Sequence, residues 1–321
     1  MPHRPLKVYA AGSGEDMMSQ QETVAEVIAL SGKHAPRVLY LGTATYDEPA
    51  AQATQTKQFE AAGCSVFALK VAVGAVPVPT MRAAFDDADI VLVSGGNTLY
   101  ARDRWVKLGV DVLIKEAQDR GVVLAGGSAG GIVWFDGGHS DSMDPSSYKN
   151  PPGPLLNPNK TAAELANWAY VRVPGLSVLP GLFCPHYDIT ESNGVKRFED
   201  FTKLLQQHSG ETGLGVDNWA AVAVDGDYYK VISRQGKPGS VGPGGQFVSD
   251  RSGQPGAWRL KVGPYGGLSR ELVPSTGSVS TLFSRAKFVV DTTMLAVARG
   301  QNPDDGKAPA WNLTSPPHFE L

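Results

Sequence analysis

Apolar residues along the chain fall into short, nearly unbroken runs, and the stretches between them carry apolar positions at helical spacing. Leu6 to Gly12 reads as a strand entering a glycine turn, and a polar helix follows from near Asp16 to Ser31. Arg37 to Ala44 is a second buried strand. A helix runs from Pro49, suited to a first turn, to Ala62, with Gly63 just past its end. Ser65 to Leu69 forms a third strand, Pro79 to Ala88 a short helix, and Asp89 to Ser94 a fourth strand ending in Gly95-Gly96-Asn97-Thr98. Helices through Trp105 and Leu108 and from Val110 to Arg120 lead into a strand at Val122. Strands that are continuous apolar runs, alternating with helices, predict an α/β fold with a mainly parallel sheet covered by helices on both faces. Ligands of such a sheet sit at the carboxyl ends of its strands, so the glycine turns after Ser94 and Ala125 share one edge.

The pattern changes beyond Ser128. Residues 137–162 are rich in Gly, Ser, Asp, Pro and Asn and read as a long loop over the strand ends. Val178 to Asp188 is an extended segment reaching that edge, Asn193 to His208 a helix, and Gly213 to Val224 a turn and strand. Asp225-Gly226-Asp227 followed by Tyr228 to Ile232 predicts a hairpin. Glycine and proline dominate from Gln235 to Ser280, which predicts loops and short strands decorating the sheet. The expected organisation is one α/β domain over 1–285, with 235–285 as a loop- and hairpin-rich extension. Residues 286–321 then form a C-terminal piece with a helix from Thr292 to Arg299 and a loose tail.

Composition narrows the partners. With 42% hydrophobic and 19% charged residues the chain is an ordinary globular one, and its formal net charge of -3 argues against nucleic acid or an anionic membrane. No run of about 18 apolar residues occurs, and no apolar signal core follows Met1-Pro2-His3-Arg4, so a cytoplasmic protein is expected. Cys64 and Cys184 are too few and too far apart for a disulfide framework or a zinc cluster, and no metal or cofactor is expected.

Candidate chemistry centres on Val122 to Phe135, where an apolar run breaks into Gly126-Gly127-Ser128-Ala129-Gly130-Gly131. Gly-x-Ser-x-Gly at a strand-to-helix corner presents the serine as a nucleophile, although a serine there can equally cap the new helix. A nucleophilic serine needs a base, usually a histidine oriented by a carboxylate. His3 and His318 lie towards the termini, and His34 and His208 in polar surroundings. His139 stands in a flexible Asp-Gly-Gly-His context. His186, between Phe183-Cys184-Pro185 and Tyr187, is better held, a preference that spacing supports only weakly against a hydrogen-bonded core histidine.

Three segments in order, Ser94-Gly95-Gly96-Asn97-Thr98, Gly127-Ser128-Ala129-Gly130 and Cys184-Pro185-His186-Tyr187, resemble the motifs of the peptidase E family of serine peptidases, which includes cyanophycinase. The resemblance spans about residues 6–233. It implies a fold of the class I glutamine amidotransferase-like, flavodoxin-like kind, with Ser128 as nucleophile and His186 as general base. Asp141 and Asp217 both fall where the resemblance places a carboxylate, and Asp217 is the favoured partner of His186. An oxyanion would be met by backbone N–H groups of Ala129 and Gly96, with Gly95 permitting close approach. Asn97 is a further substrate-binding candidate from its motif. The family favours an aspartyl residue on the acyl side, which calls for a fixed cation; Arg197 is the candidate and Lys196 a weaker one.

The expected activity is therefore hydrolysis of a peptide bond near the N-terminus of short peptides, after an acidic residue, through a Ser-His-acid acyl-enzyme. A cyanophycinase-like β-aspartyl peptidase, an α/β-hydrolase-type esterase or amidase, and a non-catalytic ligand-binding homologue are the alternatives. Gly126 to Gly130 matches neither Gly-x-Gly-x-x-Gly nor a Gly-Lys-Ser/Thr loop, which weakens nucleotide binding. The expected partner is a short peptide, with no nucleic acid and no membrane; a homodimer is an open option.

Overall fold

The computed structural model describes residues 5–147, 161, 163, 166–208, 210–263 and 267–283. The expected helix from Thr292 to Arg299, the tail, His3 and His318 lie outside these residues, as does most of the stretch from 148 to 165.

The first half of the chain builds a parallel sheet from β1 (Lys7–Ala11), β2 (Arg37–Leu41), β3 (Ser65–Ala68), β4 (Ile90–Val93) and β5 (Val123–Gly127). Between these strands run α1 (Gln21–Ser31), α2 (Pro49–Ala61), α3 (Val78–Asp86), α4 (Thr98–Leu108) and α5 (Val110–Asp119). The strands lie in the order β3-β2-β4-β5-β1. Alternation along each strand sorts its side chains into two layers. Tyr9, Val38, Tyr40, Ile90, Leu92 and Val123 pack with Val24 and Val27 of α1 and Phe59 of α2. On the opposite face Val8, Leu39, Val91 and Leu124 pack with Phe85 of α3, Trp105 of α4 and Leu113 and Ile114 of α5. Helices therefore cover both faces, as the apolar runs predict.

Ser128 follows β5 and opens α6 (Ala129–Ile132), a single turn. The chain does not continue as the expected loop. Residues 135–140 form β6 (Phe135–Ser140), fully buried, and this strand begins a second sheet. Its other members are β7 (Val171–Pro174), β8 (Leu179–Cys184) and, after α7 (Arg197–Gln207), β9 (Thr212–Val216). The hairpin β10 (Ala220–Asp225) and β11 (Tyr228–Ser233) returns to the first sheet, with β10 antiparallel to β1 from Lys7–Asp225 to Ala11–Ala221. The extension contributes to both: β12 (Ala257–Val262) and β13 (Leu268–Leu272) join the second sheet, and β14 (Thr276–Ser278) pairs with β11. Among the described residues the first sheet thus has eight strands and the second six, in the order β13-β12-β9-β8-β6-β7. Helix α7 covers the second sheet through Phe201, Leu204 and Leu205 against Leu182, Trp258 and Leu260. No helix of the described residues is long and apolar enough to cross a membrane.

Candidate active site

The carboxyl ends of β1, β2, β4 and β5 open into one cleft of about 430 Å³. Its wall comprises Gly14 and Glu15 after β1, Thr45, Ala50, Ala51, Thr54 and Gln55 after β2, Gly95 and Gly96 after β4, Ser128 after β5 and His186 after β8. This is where an open α/β sheet presents its ligand site.

Ser128 sits at φ 54°, ψ -120°, an unfavourable backbone region for a residue with a Cβ. Its N–H donates to the carbonyl of Ala11 at 3.2 Å, and its carbonyl accepts from Gly131 and Ile132 at 2.9 and 3.0 Å. The backbone is thus over-determined while the side chain makes no capping hydrogen bond, so Ser128 is not an ordinary helix cap. The glycines allow the corner: a Cβ on Gly130 would lie 2.3 Å from the carbonyl oxygen of Val93. Gly96, at φ 113°, would place a Cβ 2.3 Å from the carbonyl oxygen of Ala44. The two turns meet, since a Cβ on Gly95 would stand 3.6 Å from Ser128 Cβ. Ala129, the first residue of α6, is buried and is not part of the wall.

His186 also has a positive φ, 49°. Its N–H donates to Gly12 O at 2.9 Å, and Tyr187 N donates to Val216 O at 3.1 Å, so β8 delivers the imidazole to the cleft from the second sheet. Nδ1 pairs with Asn218 Oδ1 at 2.6 Å. Burial lowers the His186 pKa, as does the nearby Arg197 charge; Glu191, Asp141 and the Asn218 hydrogen bond oppose them. Lowering means that the proton leaves below the ordinary 6.5, so the imidazole is a neutral base at neutral pH. A profile of kcat/KM against pH is expected to rise to its plateau with a midpoint below 6.5; a midpoint above it would exclude this environment for the base. Cys184, two residues before His186, is buried and its thiol is pushed up to about 12, which leaves it unreactive.

The favoured acid partner is corrected. Asp217 does not meet His186: its carboxylate accepts from Ser240 N at 2.8 Å, Gly256 N at 2.9 Å and Ser240 Oγ at 2.8 Å. Burial and the neighbouring Asp188 raise its pKa to about 7. It follows the last residue of β9, where the chain turns; Asp217 bonds to the extension and Asn218 to the histidine. Asp141 is likewise paired elsewhere, with Arg197 Nη1 at 3.1 Å.

Arg197 is corrected as well. It is 0% exposed, with Nη1 also 3.3 Å from Glu191, Nη2 donating to His139 O at 2.9 Å and its guanidinium 5.1 Å from the Tyr170 ring centre. The fork expected to grip a substrate carboxylate instead ties α7 to β6. Asn97 is fully buried: it caps α4 by accepting from Tyr100 N at 2.9 Å and donates to Ser142 O and Ser147 Oγ at 3.0 and 2.9 Å. It shapes the loop after β6 and is not in the cleft. His139 is no surface residue either; it is buried, pairs through Nε2 with Asp200 at 2.9 Å, and burial lowers its pKa to about 4.

Residues 12–18 and 218 carry what sequence reasoning missed. Asn218 stands on the imidazole, Asp16 on Asn218, and Glu15 on the cleft wall. Asn218 follows the carboxylate singled out by the motif, and asparagine can orient a catalytic histidine as a carboxylate does. Among the described residues no cluster of three His, Cys, Asp or Glu side chains could hold a metal ion.

Comparison with known proteins gives the family. The model of peptidase family S51 matches residues 8–232. A Trypanosoma brucei brucei protein named G2/mitotic-specific cyclin-1 is 30% identical over 268 residues, 74% of this chain and 79% of that one. The uncharacterized peptidase YgaJ of Bacillus subtilis (strain 168) is 28% identical over 235 residues, 72% of this chain and 89% of that one. In fold, the crystal structure of a peptidase from an acI-B1 Actinobacterium has a TM-score of 0.54 at 18% identity and covers 86% of this chain and 98% of its own. The strained serine after β5 and the histidine after β8 lie within the matched residues, and the resemblance to peptidase E stands. This chain belongs to peptidase family S51 and is a serine peptidase.

Proposed function

We propose that the chain hydrolyses short peptides held in the cleft through an acyl-enzyme on Ser128, with His186 as general base and Asn218 orienting the imidazole. The observation that carries this reading is the strained, uncapped Ser128 sharing a wall with His186, whose Nδ1 is held by an acceptor. With Nδ1–H donated to Asn218, Nε2 keeps its lone pair. It takes the Ser128 proton as Oγ attacks the amide carbonyl, then returns that proton to the leaving amine, and water releases the acyl group. The backbone N–H groups of Gly96 and Ala129 are the donors assigned to the developing oxyanion.

The cleft's volume suits a small ligand, within the usual range of about 300–1,000 Å³. Its charge argues against an aspartyl acyl group. No lysine or arginine occurs among the described residues of its wall, whereas Glu15 is exposed on it. A carboxylate at that place favours a cation, and the free α-ammonium of a short peptide is the one every substrate carries. Mass spectrometry of a short-peptide mixture, with free and with acetylated N-termini, tests this. Free peptides should be cleaved and acetylated ones should lag. Glu15→Gln should raise KM for free peptides about fivefold, the modest effect expected of an exposed ion pair. Preferential cleavage after aspartate, unaffected by Glu15→Gln, would refute the assignment.

A further inference from the structure

We infer that Asp16 is a positioning residue for the catalytic histidine, acting through the side-chain amide of Asn218. The inference rests on the reading of Ser128 and His186 given above.

Asn218 is fixed on four sides. Its Oδ1 is 2.6 Å from His186 Nδ1, and its Nδ2 donates to Asp16 Oδ2 at 2.7 Å. Its backbone N–H donates to Asp188 Oδ1 at 2.7 Å, and its carbonyl accepts from Ser13 Oγ at 2.9 Å. Ser13 Oγ accepts in turn from Met17 N at 2.8 Å, so the loop after β1 is folded around this asparagine.

An amide differs from a carboxylate in one respect that matters here. A carboxylate presents an acceptor whichever way it turns, whereas an asparagine presents an acceptor at one end and a donor at the other. Turned over, Asn218 would aim its NH₂ at Nδ1, which would then need its lone pair. The proton would move to Nε2, and the base facing the serine would be lost. An ionised Asp16 can only accept, so it holds the NH₂ end and leaves Oδ1 for Nδ1–H. It thereby selects the tautomer with the free Nε2. Its charge also lies at the far end of a polarised chain that favours the imidazolium formed during attack.

The test uses the full chain and a fluorophosphonate probe, so it needs no knowledge of the peptide substrate. In labelling, Ser128 Oγ bonds to phosphorus, fluoride leaves and the Oγ proton passes to His186. Asp16→Asn should label at least about tenfold more slowly. Its ¹⁵N imidazole signals should change from the single Nδ1–H tautomer to a mixture, with unfolding temperature unchanged because Asp16 is exposed. The swap Asp16→Asn with Asn218→Asp should recover most of the rate. A carboxylate at position 218 then meets Nδ1–H directly, and an amide at position 16 donates to that carboxylate in place of the original bond. Wild-type labelling and an unchanged tautomer in Asp16→Asn would overturn the inference, as would failure of the swap to recover the rate. If Ser128→Ala still labels at the wild-type rate, the reading of the nucleophile fails instead, which separates the two.

Discussion

Ser128→Ala is expected to abolish peptide hydrolysis, by a factor on the order of 10⁴–10⁶, with the fold intact. The size follows from the chemistry: without Oγ there is no acyl-enzyme, and what remains is the residual effect of binding and of the Gly95-Gly96 turn on direct attack by water. The intact fold follows from the geometry. Ser128 Oγ caps nothing, and the φ of 54° is held by backbone bonds to Ala11, Gly131 and Ile132 that alanine also makes. Turnover and thermal unfolding measured on the same preparation check both halves. Retention of more than about a hundredth of the activity would remove Ser128 as the nucleophile.

Arg197→Met should be the most destabilising single change near the site, by about 3 kcal/mol or more in urea unfolding. The guanidinium is 0% exposed, while the carboxylates of Asp141 and Glu191 that it neutralises are 24% and 27% exposed. Removing it leaves two half-hidden like charges facing each other and strips the His139 carbonyl of its donor; water reaching the carboxylates keeps the cost towards the lower end. Neutralising them together, Asp141→Asn with Glu191→Gln, should return part of the stability. Arg197 also lowers the His186 pKa and, together with Asp141's hydrogen bond to it, helps hold the Asp141 carboxyl below its usual range. The variant should therefore move the midpoint of the pH profile upwards in whatever fraction stays folded. Wild-type stability in Arg197→Met would return the arginine to the role of a free substrate-binding cation.

The parallel half of the fold was legible because β1, β2, β4 and β5 are buried on both faces, so their apolar runs could scarcely be read otherwise. Residues 135–140 were not. Phe-Asp-Gly-Gly-His-Ser has a loop's composition, yet each of its polar side chains has a fixed partner. Asp136 accepts from Gly181 N at 3.0 Å, and His139 holds Asp200. A Cβ on Gly138 would stand 2.4 Å from Phe183 O, so the glycines there serve a close backbone approach that no single-strand pattern reveals. The candidate nucleophile and base were visible in local motifs. Their support was not: Asp16 and Asn218 lie 202 residues apart and meet only because β10 pairs with β1. Arg197 failed in the opposite direction, since a cation eleven residues after His186 looks available until the fold supplies it with two carboxylates.

The pairing of β12 with β9, from Thr212–Lys261 to Val216–Ala257, has a consequence for how far the chain could be shortened. The residues assigned to the chemistry all precede residue 234, yet a chain ending there would leave β9 as an open edge, its row of N–H and C=O groups free to recruit a strand from another molecule. Asp217 would lose Ser240 and Gly256 in the same stroke, one residue from the asparagine on the imidazole. The part of the sequence poorest in regular pattern is therefore the seal on the sheet that carries the histidine.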